Sequence, residues 1–486
     1  MKEKEFIKKG LTKKSENISD WYHDIVLRAG LADYSEVKGS MIIKPYGYAI
    51  WEHVQQTLDS WFKEGGVQNA YFPLFIPYSL LKKEKEHVEG FSPELAIVTH
   101  AGGEELAEPL VVRPTSETIM YETFSKWIQS YRDLPLLINQ WCNVVRWEKR
   151  TYPFLRTTEF LWQEGHTVHT SEEGAMEMVL KALGWYKKFY KEHFAISPYV
   201  GLKSGSERFA GAKATYSVEL VIPDGKALQA ATSHNLSDHF AKVFDIQFLN
   251  EKGEKQYPHQ TSWGLSTRSI GGLILSHGDD SGLVMPPRVA PYQVVILGIG
   301  SAEDPERKNI ESAIQDYAAG LKKAGIRVAV DMDTAHSMGY RINEWELKGV
   351  PVRLEVGKRE VADGKVTAVR RDTFNKNQLS VKNLVSETET LLNEIQADLL
   401  AQSEKIKREL TVDVASYDDF KKTLIEHRSF IRAPWCEDAA CEANIKEETK
   451  ATSRILELDQ IDQKESLSCF ACGKPAFRRW LFAQAY

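Results

Sequence analysis

The sequence predicts an α+β protein of several domains, and three observations along the chain support this fold class. In the first ~285 residues, helical and strand-like apolar patterns are mixed without regular alternation, which indicates a domain built on a largely antiparallel sheet. After three prolines between Met285 and Pro291, a strand–helix–strand–helix–strand rhythm predicts a small α/β domain with parallel pairing. The remaining tail carries four of the five cysteines. A length of 486 residues agrees with roughly three domains of about 150 residues each.

The elements of the first domain follow from local patterns. Residues 1–20 are polar and rich in lysine, so we expect an N-terminal arm there and a first domain over residues 21–288. Apolar side chains at helical spacing predict a helix from Tyr46, with Ile50, Val54, Leu58, Trp61 and Phe62 on its buried face. Gly65 and Gly66 end this helix, and the apolar run Ala70–Ile76 predicts a buried strand. The further elements are a helix from Thr115, strands over Leu136–Glu148 and Thr157–His169, a helix over Met176–Phe194, a strand over Ala214–Ile222 and a short helix that opens at Ile270.

A second domain is expected over residues 289–400 and a third over residues 401–486. The second domain should contain strands Val294–Leu297, Ile326–Met332 and Val352–Val356, with helices Pro305–Ala324 and His336–Lys348 between them. A long connecting helix is indicated by Leu384, Leu391, Leu392, Ile395, Leu399 and Leu400.

The composition excludes several classes of protein. Hydrophobic residues make up 42% and charged residues 27%, which is ordinary for a soluble globular chain. No apolar run approaches the ~18 residues that a bilayer crossing requires, and the lysine-rich start has no apolar signal region. The formal charge of −6 argues against a surface built wholly for nucleic acid, although a local basic face remains open. We therefore expect a cytoplasmic protein with no membrane segment and no disulfide scaffold.

Chemistry-bearing residues concentrate in three segments of the first domain. The first is Gly66–Pro73, where packing alone is the simpler explanation, and the third is Gly264–Gly272, where glycines and an arginine suit a phosphate. In the second segment, strand alternation places Arg146 and Glu148 on one face and Phe160, Trp162, Glu164 and His166 on one face of the next strand. A surface lattice of salt bridges is the alternative to a binding site there.

In combination and in this order, the segments resemble motifs 1, 2 and 3 of the class II aminoacyl-tRNA synthetases. Four stretches are similar to the prolyl-tRNA synthetase family in particular, in the archaeal and eukaryotic-type form that has a C-terminal extension and no editing insertion: Arg113-Pro-Thr-Ser-Glu117, Trp162-Gln-Glu-Gly-His166, Gln229-Ala-Ala-Thr-Ser-His234 and Trp263-Gly-Leu-Ser-Thr-Arg268. The resemblance implies a class II catalytic domain on an antiparallel sheet, an α/β anticodon-binding domain and a small α+β zinc-binding C-terminal domain. The implied activity is activation of L-proline with ATP to prolyl-adenylate, followed by transfer to tRNA(Pro).

The resemblance also assigns residues to ATP. Adenylation needs a carboxylate in line with the α-phosphorus and cations that neutralise the developing charge. Arg146 is expected to contact the α-phosphate and the amino-acid carboxylate, and Arg268 the γ-phosphate. Phe160 would stack on adenine. Glu148, Arg156, Gln229, Thr232 and Ser266 complete the expected nucleotide site. Magnesium should accompany the triphosphate through carboxylates such as Glu148.

Proline presents an ammonium, a carboxylate and a compact apolar ring. By the resemblance, Thr115 and Glu117 would pair with the ammonium, because a buried cation needs a partner. A helix N-terminus, with Thr115 as the cap, is the alternative explanation for these two residues. The ring pocket would be walled by Trp162, Glu164, His166 and His234, with Trp263 as its floor. A single histidine is more often an ordinary core residue, but two histidines flanked by the family motifs favour the pocket.

The two later domains carry further candidate residues. For contacts with the tRNA anticodon we name Glu344, Glu346, Arg353, Glu355, Lys358 and Arg359, each of which a solvated charged strand edge explains as well. The paired cysteines Cys436 and Cys441, and Cys469 and Cys472, have spacings that suit one structural zinc, with four reduced thiols as the alternative. Cys142 lies in an apolar strand and is expected to be an inert core thiol.

The resemblance extends to assembly and to the chain end. A homodimer is expected, because motif 1, which ends at Pro73, forms the subunit contact in this class. Relatives of this type characteristically end in tyrosine, with the C-terminal carboxylate directed toward the catalytic domain, whereas a frayed terminus is the alternative for Tyr486. Two rival functions stay open: another class IIa synthetase, specific for threonine, glycine or histidine, and a non-catalytic RNA-binding paralogue.

Overall fold

The structure is a computed structural model that describes residues 11–87 and 95–486. The first ten residues of the expected N-terminal arm lie outside the described residues. Of the rest of the arm, Ser15 donates a hydrogen bond to Asp280, and the first helix begins at Ile18 behind the capping residue Asn17.

The part of the chain before residue 285 is α+β, which confirms the expected fold class. Its helices are α1 (Ile18–Arg28), α2 (Pro45–Glu64), α3 (Tyr78–His87), α4 (Glu117–Trp127), α5 (Glu172–Glu192), α6 (His239–Val243) and α7 (Arg268–His277). Its strands are β1 (Ala32–Tyr34), β2 (Met41–Ile43), β3 (Gln68–Asn69), β4 (Phe75–Pro77), β5 (Ala96–Ala101), β6 (Glu104–Val112), β7 (Leu136–Val145), β8 (Glu159–His169), β9 (Tyr199–Leu202), β10 (Ala214–Val221), β11 (Ala227–Ser237), β12 (Phe248–Leu249), β13 (Lys255–Gln256) and β14 (His259–Ser266).

A second unit follows the proline-rich segment. Its helices are α8 (Arg307–Lys323), α9 (Met338–Leu347), α10 (Lys358–Asp363) and the long α11 (Leu384–Glu409). Its strands are β15 (Val294–Gly298), β16 (Val328–Asp331), β17 (Val352–Val356), β18 (Lys365–Arg370) and β19 (Lys376–Ser380), in the sheet order β16-β15-β17-β18-β19. The expected parallel pairing is confirmed for the first three strands, whereas β18 and β19 add an antiparallel hairpin that the sequence pattern did not indicate.

The tail forms a third unit with helices α12 (Tyr417–Glu426) and α13 (Ala439–Thr449). Its strands are β20 (Thr411–Asp413), β21 (Phe430–Trp435), β22 (Thr452–Glu457), β23 (Leu467–Ser468), β24 (Pro475–Ala476) and β25 (Arg478–Ala483).

One sheet of eleven strands runs through both the first and the third unit, in the order β20-β21-β25-β22-β9-β10-β11-β14-β8-β7-β3. Pairing is antiparallel except at the two ends, where β20–β21 and β3–β7 are parallel. The junction lies between β22 and β9, where Leu456 pairs with Leu202 and Glu457 with Gly201. Buried apolar side chains from both units, including Tyr199 and Ala227 on one side and Phe430 and Leu481 on the other, form a common core there. The tail therefore extends the sheet of the first unit.

The predicted strand over Ala70–Ile76 is wrong. β3 ends before this segment, β4 covers only its last two residues, Phe75 and Ile76, and the residues between the two strands are not in a strand. The run faces both ways, because Tyr71 is 72% exposed and Phe75 44% exposed whereas Phe72 and Ile76 are buried. Arg113 lies over the Tyr71 ring at 5.4 Å and donates a hydrogen bond to the Phe72 carbonyl, which holds the part of the segment before β4.

Three helices, α1, α2 and α5, pack their apolar faces against the central strands. Residues of α1, α2 and α5 share the largest buried cluster with β10, β11 and β14, among them Trp21, Phe62, Tyr186, Val218 and Trp263. Within the described ranges, no helix has the length and apolar character that crossing a bilayer requires.

Candidate active site

Two adjoining cavities lie over the central strands β8, β11 and β14. The larger, of about 300 Å³, is lined by Thr115, Glu117, Arg146, Trp162, Glu164, His166, Glu207, Arg208, Phe209, Thr215, Gln229, Thr232, His234, Ser262, Trp263 and Gly264. The smaller, of about 140 Å³, is lined by Arg146, Phe160, Trp162, Gln229, Ala230, Ala231, Thr232, Gly264, Leu265, Ser266 and Arg268. The structure thus brings together almost all of the residues expected to bind proline or ATP, from positions more than 150 residues apart.

A buried group of two carboxylates and an imidazole occupies one wall of the larger cavity. Ligand atoms of Glu117, Glu164 and His166 lie within 4.8 Å of one another. Thr115 Oγ1 donates a hydrogen bond to the Glu117 carboxylate, while the capping residue of α4 is Ser116, so Thr115 is not the N-cap. Because Glu117 is directed into the cavity beside a hydroxyl, the pair offers acceptors for a cation.

Glu164 and His166 form a buried ion pair. His166 Nε2 lies 3.1 Å from Glu164 Oε2, and both side chains are almost fully buried. Although burial opposes both charges, this contact raises the pKa of His166 and holds the pKa of Glu164 below its usual value. Gln140 and Cys142 direct further hydrogen bonds at Glu164, at 3.0 and 3.4 Å. The carboxylate is therefore fixed from several sides.

Cys142 differs from the expected core thiol. It is half-buried, and its Sγ accepts a hydrogen bond from Trp162 Nε1 at 3.2 Å while it faces Glu164. Burial and the nearby Glu164 charge raise the pKa of the thiol to about 12, so the group stays protonated and serves as a donor.

Arg146 stands between the two cavities and lines both. Its Nε donates to the Pro114 carbonyl at 3.0 Å, and its guanidinium lies 5.6 Å from the Phe160 ring and 5.4 Å from the Trp162 ring. Burial lowers the pKa of Arg146, and the nearby Glu117 and Glu164 charges oppose that shift. These contacts hold the guanidinium at the boundary, where two anions can share it.

The smaller cavity has a positive end. Arg268 opens α7, and its Nε donates to the Leu155 carbonyl at 2.9 Å. Burial and the charges of Arg156 and Arg146 lower the pKa of Arg268, which places three guanidinium groups near one another. The charges of Glu148 and Glu219 oppose this shift, and a triphosphate is an anion that such guanidinium groups suit.

Glu148 and Arg156 lie at the rim. Neither residue lines the two cavities; Arg156 is exposed and Glu148 half-buried. Their charges still act on the neighbouring Arg268, in opposite directions.

Trp263 supports the site from beneath. Its position on β14 pairs with Gly165 on β8, and a Cβ at Gly165 would lie 2.1 Å from its ring. The ring packs against Phe62 of α2 at 4.8 Å and Trp185 of α5 at 5.8 Å. The expected pocket floor is thus a backbone surface, and the Trp263 ring lies on the opposite face of the sheet.

His234 is neutral, unlike His166. Burial, with the His166 charge, lowers the pKa of His234 to about 3. Its Nδ1 lies 2.9 Å from Thr215 Oγ1, and its ring is 4.8 Å from the Phe209 ring. The cavity therefore presents a charged wall at Glu117 and Glu164 and a less polar wall at His234.

Sequence reasoning missed the loop between β9 and β10. Glu207, Arg208 and Phe209 line the larger cavity together with Thr215 and Ser262. The sequence of this loop has neither helical nor strand periodicity, and its charged residues are typical of a surface turn. The available signal was a run of Glu, Arg and Phe a few residues before the strand β10.

The four tail cysteines converge. Cys436 Sγ and Cys472 Sγ are 3.5 Å apart, Cys441 Sγ and Cys469 Sγ are 3.9 Å apart, and all four sulfurs lie within 4.8 Å of one another. Tetrahedral zinc with Zn–S bonds of 2.3 Å would place its sulfurs about 3.8 Å apart. The donor set and its spacing therefore fit a structural zinc ion.

The candidate anticodon residues fall into two groups. Arg353 pairs with Glu346 at 2.8 Å and with Glu355 at 3.1 Å, so these three charges satisfy one another. Glu344 lies 3.6 Å from Lys348. Lys358 and Arg359, at the start of α10, are exposed. The exposed pair is the better placed of the two groups for a nucleic-acid contact.

The terminal tyrosine is docked. The Tyr486 amide donates to the Ala227 carbonyl at the start of β11, and its hydroxyl donates to Asp224 Oδ2 at 2.9 Å. Lys226 Nζ lies 4.4 Å from the ring centre. The chain end thus contacts the strand that carries Gln229 and Thr232.

Three family models match this chain in sequence order. The tRNA synthetase class II core domain (G, H, P, S and T) matches residues 99–277, the anticodon binding domain residues 293–391, and the C-terminal domain of prolyl-tRNA synthetase residues 417–486.

Relatives match over the full length. Proline--tRNA ligase from Acetoanaerobium sticklandii is 50% identical over 100% of this chain and 99% of its own, and that of Chlorobium chlorochromatii is 51% identical over 98% and 99%. The crystal structure of prolyl-tRNA synthetase from Cryptosporidium parvum, complexed with halofuginone and AMPPNP, has a TM-score of 0.93 and 44% identity over 98% of this chain and 99% of that chain.

Proposed function

Because the chain belongs to the prolyl-tRNA synthetase family of the class II aminoacyl-tRNA synthetases, we propose that its two adjoining cavities bind L-proline and ATP and join them as prolyl-adenylate. The resemblance of the sequence motifs to this family is confirmed, and with it the ligase activity that transfers proline to tRNA. The assignment of individual residues rests on the geometry of the site.

The observation that carries the assignment is the position of Arg146 on the wall between the cavities. The reaction joins a carboxylate to the α-phosphorus, and two anions that repel must come together. A guanidinium that faces both compartments can donate to each of them at once. No cation elsewhere in the two linings is shared in this way among the described residues.

The larger cavity suits proline by charge and size. We assign the ammonium to Glu117 and Thr115, and the ring to the space between Trp162 and His234. Glu164 and His166 fix the polar wall, since their ion pair is already complete. A volume of about 300 Å³ is at the small end of ligand sites, as a compact amino acid requires.

The smaller cavity suits the adenosine and α-phosphate end of ATP. Phe160 offers a ring face for adenine, while Gln229, Thr232 and Ser266 offer hydrogen bonds. Arg268 takes the γ-phosphate, with Arg156 and Glu148 at the rim. Magnesium arrives with ATP as part of the substrate complex and neutralises phosphate charge, and Glu148 is the carboxylate that we place beside it. The ATP analogue in the crystal structure of the Cryptosporidium relative supports a nucleotide site in this family.

The other units are assigned to tRNA and to structure. We propose that the unit with β15–β19 binds the anticodon of tRNA(Pro), with Lys358 and Arg359 as the available contacts. We propose one structural zinc ion on Cys436, Cys441, Cys469 and Cys472. A cytoplasmic location follows from a role in translation.

We propose a homodimer through the segment that follows α2. The strand β3 is the last strand of the large sheet, and Tyr71 and Phe75 expose apolar surface next to it. An exposed edge beside exposed aromatic rings favours association with a second copy. Sedimentation at micromolar concentration should give the mass of two chains, and a monomer would contradict the proposal.

The decisive experiment is ATP–pyrophosphate exchange with each of the twenty amino acids. Proline should support the fastest exchange by a wide margin. Faster exchange with threonine, glycine or histidine would indicate another class IIa specificity. Absence of exchange with all amino acids, in a chain that still binds tRNA, would indicate a non-catalytic paralogue.

A further inference from the structure

The loop between β9 and β10 forms part of the wall of the larger cavity. Glu207, Arg208 and Phe209 from this loop line the cavity, and the Phe209 amide donates to Thr215 Oγ1 at 3.0 Å. The Phe209 ring also packs on the ring of His234. A displacement of this loop would therefore move one wall of the amino-acid site.

One face of α13, in the C-terminal unit, holds this loop. Ser204 Oγ donates to Glu442 Oε1 at 2.8 Å and accepts the amide of Glu207 at 3.2 Å. Lys446, one helical turn after Glu442, places its Nζ 3.3 Å from Glu207 Oε1. The helix thus contacts both the first turn of the loop and one of its cavity-lining residues.

A buried ion cluster anchors the base of the same loop. Arg454 donates from Nε and Nη2 to Glu219 Oε2, at 3.1 and 2.6 Å, and Lys203 Nζ lies 3.7 Å from Glu219 Oε1. Arg454 is the extra residue of a β-bulge between Ser453 and Ile455. Bulges commonly redirect a side chain, and this one sends Arg454 across β9 to a strand of the active-site sheet.

We propose that Glu442, Lys446 and Arg454 are positioning residues for the amino-acid site. They touch no substrate and act by holding the loop over residues 203–213 against the cavity. The inference rests on the proposed function, in which that cavity binds proline. Its consequence is that affinity for proline depends on side chains of the C-terminal unit.

The expected effects differ with burial. The Lys446–Glu207 pair is partly exposed, and such pairs are worth little, so Lys446→Ala should raise the KM for proline about two- to fivefold. Glu442 is buried and accepts from both Ser204 and Ser453. A hydrogen bond to a buried carboxylate is stronger, so Glu442→Gln should raise this KM about tenfold. The KM for ATP and the kcat should stay near the parent values.

The measurement is pyrophosphate exchange with the full chain, normalised to titrated active sites. Lys422→Ala is the matched control, because it removes an exposed ion pair with Glu426 on α12 of the same unit. Lys446→Arg should restore the parent KM for proline. The inference is overturned if Lys446→Ala and Glu442→Gln match the control, or if they raise the KM values for proline and ATP in equal proportion.

Hydrogen–deuterium exchange supplies a readout that needs no substrate. Peptides that cover residues 203–213 should exchange faster in Glu442→Gln and Lys446→Ala than in the parent or the control, because the first variant weakens the hold on Ser204, the acceptor of the Glu207 amide, and the second removes the partner of the Glu207 side chain. Equal exchange in all four proteins would overturn the inference. A parent chain without proline-dependent exchange of pyrophosphate would instead refute the proposed function, whatever the loop does.

Discussion

Replacement of Arg146 by alanine tests the proposed active site most directly. The guanidinium lines both cavities and is fixed by the Pro114 carbonyl and by the rings of Phe160 and Trp162. Because its position is set before substrates bind, it needs no reorganisation when the two anions approach. We expect Arg146→Ala to slow prolyl-adenylate formation severely.

The magnitude follows from the charges around the site. Removing one preorganised donor at a centre of developing charge costs ~3–4 kcal/mol, or about a hundred- to thousandfold in rate. Glu117, Glu164 and Glu148 all act on the charge of Arg146, so its loss leaves carboxylates that repel the proline carboxylate and the α-phosphate. We therefore expect the upper end of the range. Arg146→Lys should recover little, because a point charge cannot donate in two directions.

The assay is single-turnover formation of prolyl-adenylate, with filter binding of tRNA alongside it. Arg150→Ala is the control, since Arg150 is an exposed arginine of the same hairpin loop. The affinity for tRNA should change little in either variant, because the proposed anticodon contacts lie in another unit. If adenylation by Arg146→Ala stays within a few-fold of the parent, the role of Arg146 is refuted, and so is the assignment of the two cavities.

Three further predictions concern metal, specificity and pH. Elemental analysis of protein purified without added metal should find about one zinc per chain on Cys436, Cys441, Cys469 and Cys472, and a content near zero would refute the site. Alanine should support detectable pyrophosphate exchange at high concentration, because loss of a few methylenes discriminates by only ~1–3 kcal/mol for each one; no exchange at all would contradict this. Burial lowers the pKa of His277 from 6.5 to about 4. Between these two pH values the unfolded chain binds a proton that the folded chain does not, so the free energy of unfolding decreases as the pH is lowered. In denaturant titrations, His277→Gln should reduce the stability difference between pH 6.5 and 5 by up to about 2 kcal/mol, and an unchanged difference would contradict the assignment.

Local pattern was sufficient for much of the fold. The spacing of apolar residues from Ile50 to Phe62 correctly predicted α2, because the apolar face of an amphipathic helix recurs at every turn of the sequence. Strand alternation placed Glu164 and His166 on one face of β8, and both line the larger cavity. The residue roles came from the family resemblance, since nothing in spacing alone distinguishes Arg146 from other arginines.

Long-range pairing could not be predicted. The contact of β22 with β9 joins Leu456 to Leu202, and neither segment carries a signal for the other. The strand expected over Ala70–Ile76 shrank to its last two residues because the apolar run is divided between buried Phe72 and Ile76 and exposed Tyr71 and Phe75, a division that composition does not reveal. The packing of the Trp263 ring against Phe62 and Trp185 could not be predicted, because its strand register with Gly165 was unknown.

The shared sheet has a consequence for synthesis of the protein. Leu202 leaves the ribosome about 250 residues before its partner Leu456, which at 5–20 residues per second is a delay of roughly 13–50 s. During that interval one edge of β9 is paired with β10 and its other edge is unpaired. Tyr199 and Val221 are then exposed, because the residues of the C-terminal unit that will cover them have not yet been made. An open edge beside apolar side chains is a template for wrong pairing, so the nascent chain is most prone to aggregation while its own last strands are still being made.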